Sequence, residues 1–300
     1  MKVLCSGLNV VDLLVSVPPK IKIGKKNNCE KILMQGGAPA GSAACALSHL
    51  GHETYFLGYF GDNPLSAVAK SELQKYGVKD RFFIDKENAS PAVAIVQIDK
   101  KGDRTVFYSM QNYMPFSSED INKDDLKDFD LILVDGYDIE INLHLLKLAK
   151  QLDIKTVLDI ETATNPIMKN MLALSSDPIL PMEVAQLLSR KQNVLEVLKS
   201  VSEMTNGQVV ITDGANGSYA LFNGELISQP AHKVNVVDTT GCGDAFHGAY
   251  ASALLRGLDL KERLRYASFF ASQVAQHFGG RTFLPKREFM DKNYPISIES

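Results

Sequence analysis

Cysteine is scarce in this chain of 300 residues. Its four cysteines, Cys5, Cys29, Cys45 and Cys242, have neither CxxC spacing nor the density of a disulfide framework, which argues against a structural zinc or a cross-linked secreted scaffold. No apolar run is long enough to span a bilayer. The best N-terminal candidate, Leu8 to Val17, is interrupted by Asn9 and Asp12 and lacks a small-residue cleavage site, so no leader is expected. Nor is there an excess of one charge: 32 Lys and Arg against 35 Asp and Glu leave a net of −3. That balance supplies no global basic field for nucleic acid or an acidic membrane, and neither partner is expected. No internal repeat, low-complexity tract or long linker interrupts the chain. With 45% hydrophobic and 22% charged residues, the composition is that of a soluble globular protein, and the chain reads as cytoplasmic.

What is present is an alternation of strand and helix signals. Lys2 to Ser6 reads as a short buried strand stopped by Gly7. Ala40 to Leu50, rich in alanine and leucine and free of β-branching, predicts a closely packed helix ending at Gly51. A strand follows at Thr54 to Tyr59, then a helix at Pro64 to Tyr76 with proline in its first turn. From Leu131 onward strands and helices alternate again, and two long helical patterns, Asp244 to Arg256 and Leu260 to Phe278, close the chain. Such alternation implies a parallel sheet covered on both faces. Two stretches, approximately 13–35 and 90–110, are β-rich only. The second is a hairpin, Ala92 to Ile98 and Thr105 to Met110, around the polar turn Lys100-Lys101-Gly102-Asp103. These stretches fit a small appended sheet, a lid or a dimer contact. The expectation is one α/β domain over residues 1–300 with a β excursion.

The chemistry concentrates in Val237-Asp238-Thr239-Thr240-Gly241-Cys242-Gly243-Asp244-Ala245-Phe246. Two glycines let backbone amides turn inward, and a helix beginning near Asp244 offers unpaired N–H groups and the positive end of its dipole. Together these make a concave site for an anion such as phosphate. An acid at the mouth of such a site makes sense if Asp244 takes a proton from an acceptor hydroxyl during phosphoryl transfer. The same residues also read as an N-cap and ordinary turn glycines.

This stretch resembles the D-T-x-G-A-G-D signature of the ribokinase (PfkB-type) carbohydrate kinase family. The resemblance continues through Gly7-Leu8-Asn9-Val10-Val11-Asp12, through Gly36-Gly37-Ala38-Pro39-Ala40-Gly41-Ser42-Ala43, and through Thr212-Asp213-Gly214-Ala215-Asn216-Gly217. It implies a ribokinase-like three-layer α/β domain with a mainly parallel sheet and a small β-sheet lid. The implied activity is ATP-dependent transfer of the γ-phosphate to a hydroxyl of a sugar or sugar-like alcohol. Asp244 would be the base, and the amides of Gly241, Cys242 and Gly243 the anion hole. Asp12, Gly36, Gly37 and Gly41 would lie on the acceptor side. Thr212, Gly214 and Gly217 would line the nucleotide. Asp238 and the Thr240 carbonyl would hold a monovalent cation such as K+. Magnesium would accompany ATP, and the lid strands suggest a homodimer. A nucleoside kinase, with Tyr108, Tyr113 or Phe116 stacking on a base, and a non-catalytic sugar- or nucleotide-binding relative are the alternatives.

Three departures from the pattern stand out. Gly41 occupies the position of an asparagine that contacts sugar hydroxyls, and Ser42 replaces that group only in part. The magnesium-associated N-x-x-E motif is missing in clean form: Met182 cannot ligate a hard cation, and Glu183 is the nearby carboxylate, also readable as a first-turn helix acid. Cys242 replaces the usual alanine, either as a passive small residue or as a thiol activated by the helix N-terminus. Asp135 and Asp159-Ile160-Glu161 follow strands at the edge where ligands collect, and each also reads as ordinary loop acid. Gly279-Gly280-Arg281 reads either as a family region near the cation and nucleotide or as a helix C-cap with an exposed arginine. His247 reads as packing rather than catalysis.

Overall fold

Alternation along the strands sets the layers. β1 (Lys2–Ser6) buries Val3 and Cys5 in one core and Leu4 in another, because successive side chains leave a strand on opposite faces. β8 (Leu131–Asp135) repeats this with Leu131 and Leu133 on one side and Ile132 and Val134 on the other. A sheet apolar on both faces must be covered on both. Helices Pro39–His49, Cys242–Leu255 and Leu260–Val274 cover one face. Helices Ile139–Leu152, Met168–Leu174, Met182–Ser189 and Val194–Ser202 cover the other. The computed structural model describes residues 1–162 and 166–294. Among them no helix is long and apolar enough to cross a membrane.

Among the described residues thirteen strands form two sheets. Besides β1 they are β2 (Val10–Ser16), β3 (Ile32–Gly37), β4 (Glu53–Phe60), β5 (Phe83–Asp85), β6 (Ala92–Ile98), β7 (Arg104–Ser109), β8 (Leu131–Asp135), β9 (Lys155–Asp159), β10 (Asp177–Pro181), β11 (Val210–Thr212), β12 (Ser218–Phe222) and β13 (Glu225–Gln229). The large sheet runs β13-β12-β11-β10-β9-β8-β1-β4-β5, parallel except at β12 and β13. This is the expected ribokinase-like architecture. The short β5 and the Met168–Leu174 helix lacked a clear sequence signal, and the Leu260 helix stops at Val274 rather than Phe278.

The two β-rich stretches join as the smaller sheet, β3-β2-β6-β7. Leu14, Ala94, Val96 and Ile98 form its inner core against Leu33 and Phe278. Register places Arg104, Val106 and Tyr108 opposite Ile98, Val96 and Ala94, and therefore on the inner face. The outer face exposes Ile32, Met34, Ile95 and Phe107.

The candidate active site

The large sheet changes direction between β1 and β8: from β1 the chain winds outward to β4 and β5, and from β8 the other way. Loops leaving two such neighbours diverge and open a crevice. Asp135, at the end of β8 and fully buried, holds this crevice in shape. Its Oδ2 accepts the N–H groups of Leu8 (3.0 Å) and Ala40 (3.4 Å), and its Oδ1 accepts that of Tyr137 (3.0 Å). Of the two readings open for this acid, the structural one describes its contacts.

Over the crevice lies the 237–246 stretch. Gly241 has φ +71° and caps the Cys242–Leu255 helix; a Cβ there would sit 2.8 Å from the Gly280 Cα. Asp238 is buried and locks the turn from both sides. Its Oδ1 accepts the Thr240 N–H and its Oδ2 the Gly279 N–H, both at 2.8 Å. Gly243 has no such duty. Nothing lies within 4 Å of where its Cβ would be, so the backbone on that side borders open space. A glycine that the protein's own packing does not require, at the first turn of a fourteen-residue helix, leaves room for a ligand to approach the backbone.

Asp244 is half-buried on this first turn. Burial raises its carboxyl above the ordinary aspartate range, while the guanidinium groups of Arg104 and Arg281 and a hydrogen bond from the Ser42 hydroxyl pull it back down. Asp12, on β2, is pushed up to about 7 by burial, against Arg281 and with a smaller upward push from Asp244. Gly37 is glycine because a Cβ would overlap the Asp12 carboxylate. Asp12, Gly37, Ser42 and Asp244 thus converge from β2, β3 and two helices. A carboxylate whose proton affinity burial raises, on the first turn of a helix, can accept a proton while the N–H groups of that turn stabilise a transferring anion.

The remaining sequence candidates divide. Thr212 ends β11, and Gly214 opens an exposed turn behind it, whereas Gly217 is needed for packing, since a Cβ would overlap the Gln229 carbonyl. Glu183 is exposed on the first turn of its helix, and the carboxylates whose charge is felt at Asp244 are Asp12, Asp159 and Glu161. Among the described residues no group of three or more His, Cys, Asp or Glu could hold a metal ion. Burial pushes the Cys242 thiol up to about 12, so it is the passive small residue of the two readings. His247 is buried, with Nδ1 2.7 Å from the Gly243 carbonyl and 3.0 Å from Asp159 Oδ2. Burial drives its pKa down to about 4, so the neutral ring donates from Nδ1 and braces the helix start. Of the three aromatics considered for base stacking, Phe116 already stacks on Tyr59 and Tyr113 donates to Asp138. Tyr108 alone presents a free ring on the inner lid face.

Arg104 was not anticipated at the site. Arg104 reaches from the lid, its Nη1 donating to the Thr239 carbonyl at 3.4 Å, while the Thr239 hydroxyl donates to Gly102 O at 3.1 Å. The hairpin alternation could have marked it, since Ala94, Val96 and Ile98 fix which β7 residues face inward. Of the two readings of Gly279-Gly280-Arg281, the C-cap with an exposed arginine is corrected: Arg281 is 2% exposed, and its place depends on contacts with residues some 240 positions away, which no local pattern carries.

Comparison with known proteins agrees with this fold. The family model described as pfkB family carbohydrate kinase matches residues 15–287. A ribokinase of Arabidopsis thaliana is 27% identical over 281 residues, covering 88% of this chain and 73% of its own. A 5-dehydro-2-deoxygluconokinase of Halalkalibacterium halodurans is 24% identical, covering 88% and 87%. The structure of Arabidopsis thaliana ribokinase complexed with ribose and ATP superposes with a TM-score of 0.83 at 22% identity, over 97% of each chain. With the match to the family model extending over nearly its whole length, the chain belongs to the pfkB family of carbohydrate kinases.

Proposed function

We propose that this kinase transfers the γ-phosphate of ATP to a hydroxyl of a sugar or sugar-like alcohol bound between Asp12 and Asp244. The observation that carries this reading is Asp244 on the first turn of the Cys242–Leu255 helix, next to the unobstructed backbone of Gly243 and close enough to Asp12 for its charge to act there. Asp12 accepts hydrogen bonds from acceptor hydroxyls, which selects polyols over apolar alcohols. Asp244 takes the proton of the attacking hydroxyl, and the N–H groups of residues 241–244 receive the charge of the phosphoryl group. Arg104, reaching the same turn from the lid, adds positive charge there and closes the site against water. The Thr212–Gly217 loop lies at β11, three strands from β8, or about 14 Å at ordinary strand spacing. An elongated nucleotide fits that span with its adenosine toward the loop and its phosphates toward Gly243.

ATP is the phosphoryl donor in this reading, as the ATP complex of the ribokinase relative supports. The protein's own donors do not fit a directly held magnesium ion, given exposed Glu183, buried Met182 and no three-ligand group among the described residues. A monovalent cation fits better. The Thr240 hydroxyl is buried without a hydrogen-bond partner beside Asp238, and these residues would hold a cation that adds positive charge near the anion hole.

Purified protein with ATP, a divalent salt and panels of sugars and nucleosides tests the reading. ADP release dependent on a sugar acceptor is expected; nucleotide binding with no turnover on any alcohol would refute it, and turnover confined to nucleosides would move the acceptor class.

The apolar outer face of the lid, with Ile32, Met34, Ile95 and Phe107 on adjoining strands, supports a homodimer through this sheet. Sedimentation at micromolar concentration is expected to give twice the chain mass, and Phe107→Lys to return it to the monomer.

A further inference from the structure

Residue 41 lies inside a helix, where glycine is about 1 kcal/mol less favourable than alanine. The reason for glycine is Arg281. A Cβ on Gly41 would lie 2.7 Å from Nη2 of that arginine, and one on Gly36 would overlap Nη1. Two glycines from different elements therefore make room for one guanidinium. That group is buried, yet no carboxylate among the described residues lies within ion-pair distance of it. A buried cation without a counter-ion is costly, and this one is tethered with some care. Its Nε–H donates to Ser42 Oγ at 3.1 Å, its Nη2 donates to the Gly37 carbonyl, and its own carbonyl accepts the Tyr76 hydroxyl.

The Ser42 hydroxyl, having accepted from Arg281, has one proton of its own, and Asp244 accepts it. A charged group, a hydroxyl and the reactive carboxylate are thus joined in series. With Nε–H occupying one side of Oγ, the hydroxyl is turned toward Asp244; without it the hydroxyl can rotate to another acceptor. The second tether, to Gly37, reaches the glycine packed against Asp12.

We propose that Arg281 is a positioning residue for phosphoryl transfer, acting through Ser42 to orient the Asp244 carboxylate and through the Gly37 carbonyl to fix the acceptor side of the pocket. This rests on Asp244 being the base. The groups whose charge bears on Asp244 come from every side: Arg104 from β7, Asp12 from β2, Asp159 and Glu161 from the end of β9, the Cys242 thiol on its own helix, and Arg281. Of these charges only the two arginines favour its ionised form, alongside the Ser42 hydrogen bond, so removing one raises the proton affinity of the base. The acid limb of the pH profile then moves to higher pH.

Arg281→Met, Arg281→Lys, Ser42→Ala and the double variant Arg281→Met with Ser42→Ala are compared by kcat, kcat/KM against pH, and thermal unfolding. For Arg281→Met, kcat is expected to fall by about tenfold to a hundredfold, with the acid limb of kcat/KM raised by about one pH unit and KM for ATP unchanged. Arg281→Lys, keeping charge but not the planar fork, is expected to restore the limb more than kcat. Adding Ser42→Ala to Arg281→Met is expected to change kcat little further, because the arginine acts through the serine. An Arg281→Met enzyme with lower Tm but wild-type kcat and pH profile would overturn the proposal, leaving the arginine as packing alone. Should Arg281→Met fail to fold, Ser42→Ala decides: reduced kcat with a raised acid limb supports the relay, and an unchanged profile overturns it. The base assignment fails by a separate result, namely turnover surviving in Asp244→Asn.

Discussion

Asp244→Asn is expected to bind ATP as the parent does while kcat falls by about 10²- to 10⁴-fold, the usual contribution of a positioned general base. Asparagine keeps the size and the hydrogen-bonding oxygen that the Ser42 hydroxyl needs, so the fold and the turn over Gly241 stay as they are. What it removes is the capacity to accept a proton. The substitution also relieves crowding. Asp159 is pushed well above the ordinary aspartate range by burial first, and then by the charges of Glu161 and Asp244. Removing one of these charges leaves the others easier to ionise, and thermal stability is therefore expected to hold or rise slightly while activity collapses. Equilibrium ATP binding, single-turnover ADP formation and a melting curve on one preparation check the three parts together. Turnover at the parent rate would show that another group takes the proton.

The second large effect is expected at Gly241, and a comparison with Gly243 gives it meaning. In Gly241→Ala the backbone is held at φ +71°, which costs a non-glycine residue about 1–2 kcal/mol. The new methyl also meets the Gly280 Cα at 2.8 Å. Gly280 cannot yield freely, because the Gly279 N–H is bound by Asp238. The turn must deform, and the amides proposed as the anion hole deform with it. Loss of aligned donors of this kind lowers kcat by about 10²- to 10³-fold, and the melting temperature is expected to fall as well. In Gly243→Ala the methyl enters open space, so stability should be unchanged while the ligand's approach is obstructed. Activity lost in both variants, with stability lost only at Gly241, is the signature of one glycine needed for the chain and one needed for the ligand. Equal melting temperatures for the two would remove that distinction.

Much of this molecule was legible from short-range pattern. The alternation of strands and helices gave the layered sheet, and the β-only stretches near 13–35 and 90–110 became the four-stranded lid. The sequence around Asp244 already contained a turn, a helix start and an acid at the right offset, because all three are set within one helical turn. Gly36, Gly37 and Gly41 were singled out from the sequence as acceptor-side candidates, but the contacts that require glycine there were not legible. Gly37 yields to Asp12, whereas Gly36 and Gly41 yield to Arg281. The loss of a side chain at residue 41 read as a gap in the acceptor site; in the fold that space holds a guanidinium from the other end of the chain. Asp135 was ambiguous for a related reason: its partners Leu8 and Ala40 come from the loop after β1 and the first turn of the Pro39–His49 helix, which meet only at the crevice.

The sequence by itself therefore determined what depends on neighbours within a few positions: strand faces, helix starts, the hairpin of the lid and the amide-rich turn beside Asp244. Tertiary structure alone decided which charges share the pocket. Arg104 arrives with the lid, Arg281 with the loop after the Leu260–Val274 helix, and Asp12 and Ser42 with two further elements. Burial and electrostatic fields act through space, so the proton affinity of Asp244 is a property of the assembled crevice, and no single stretch of sequence contains it.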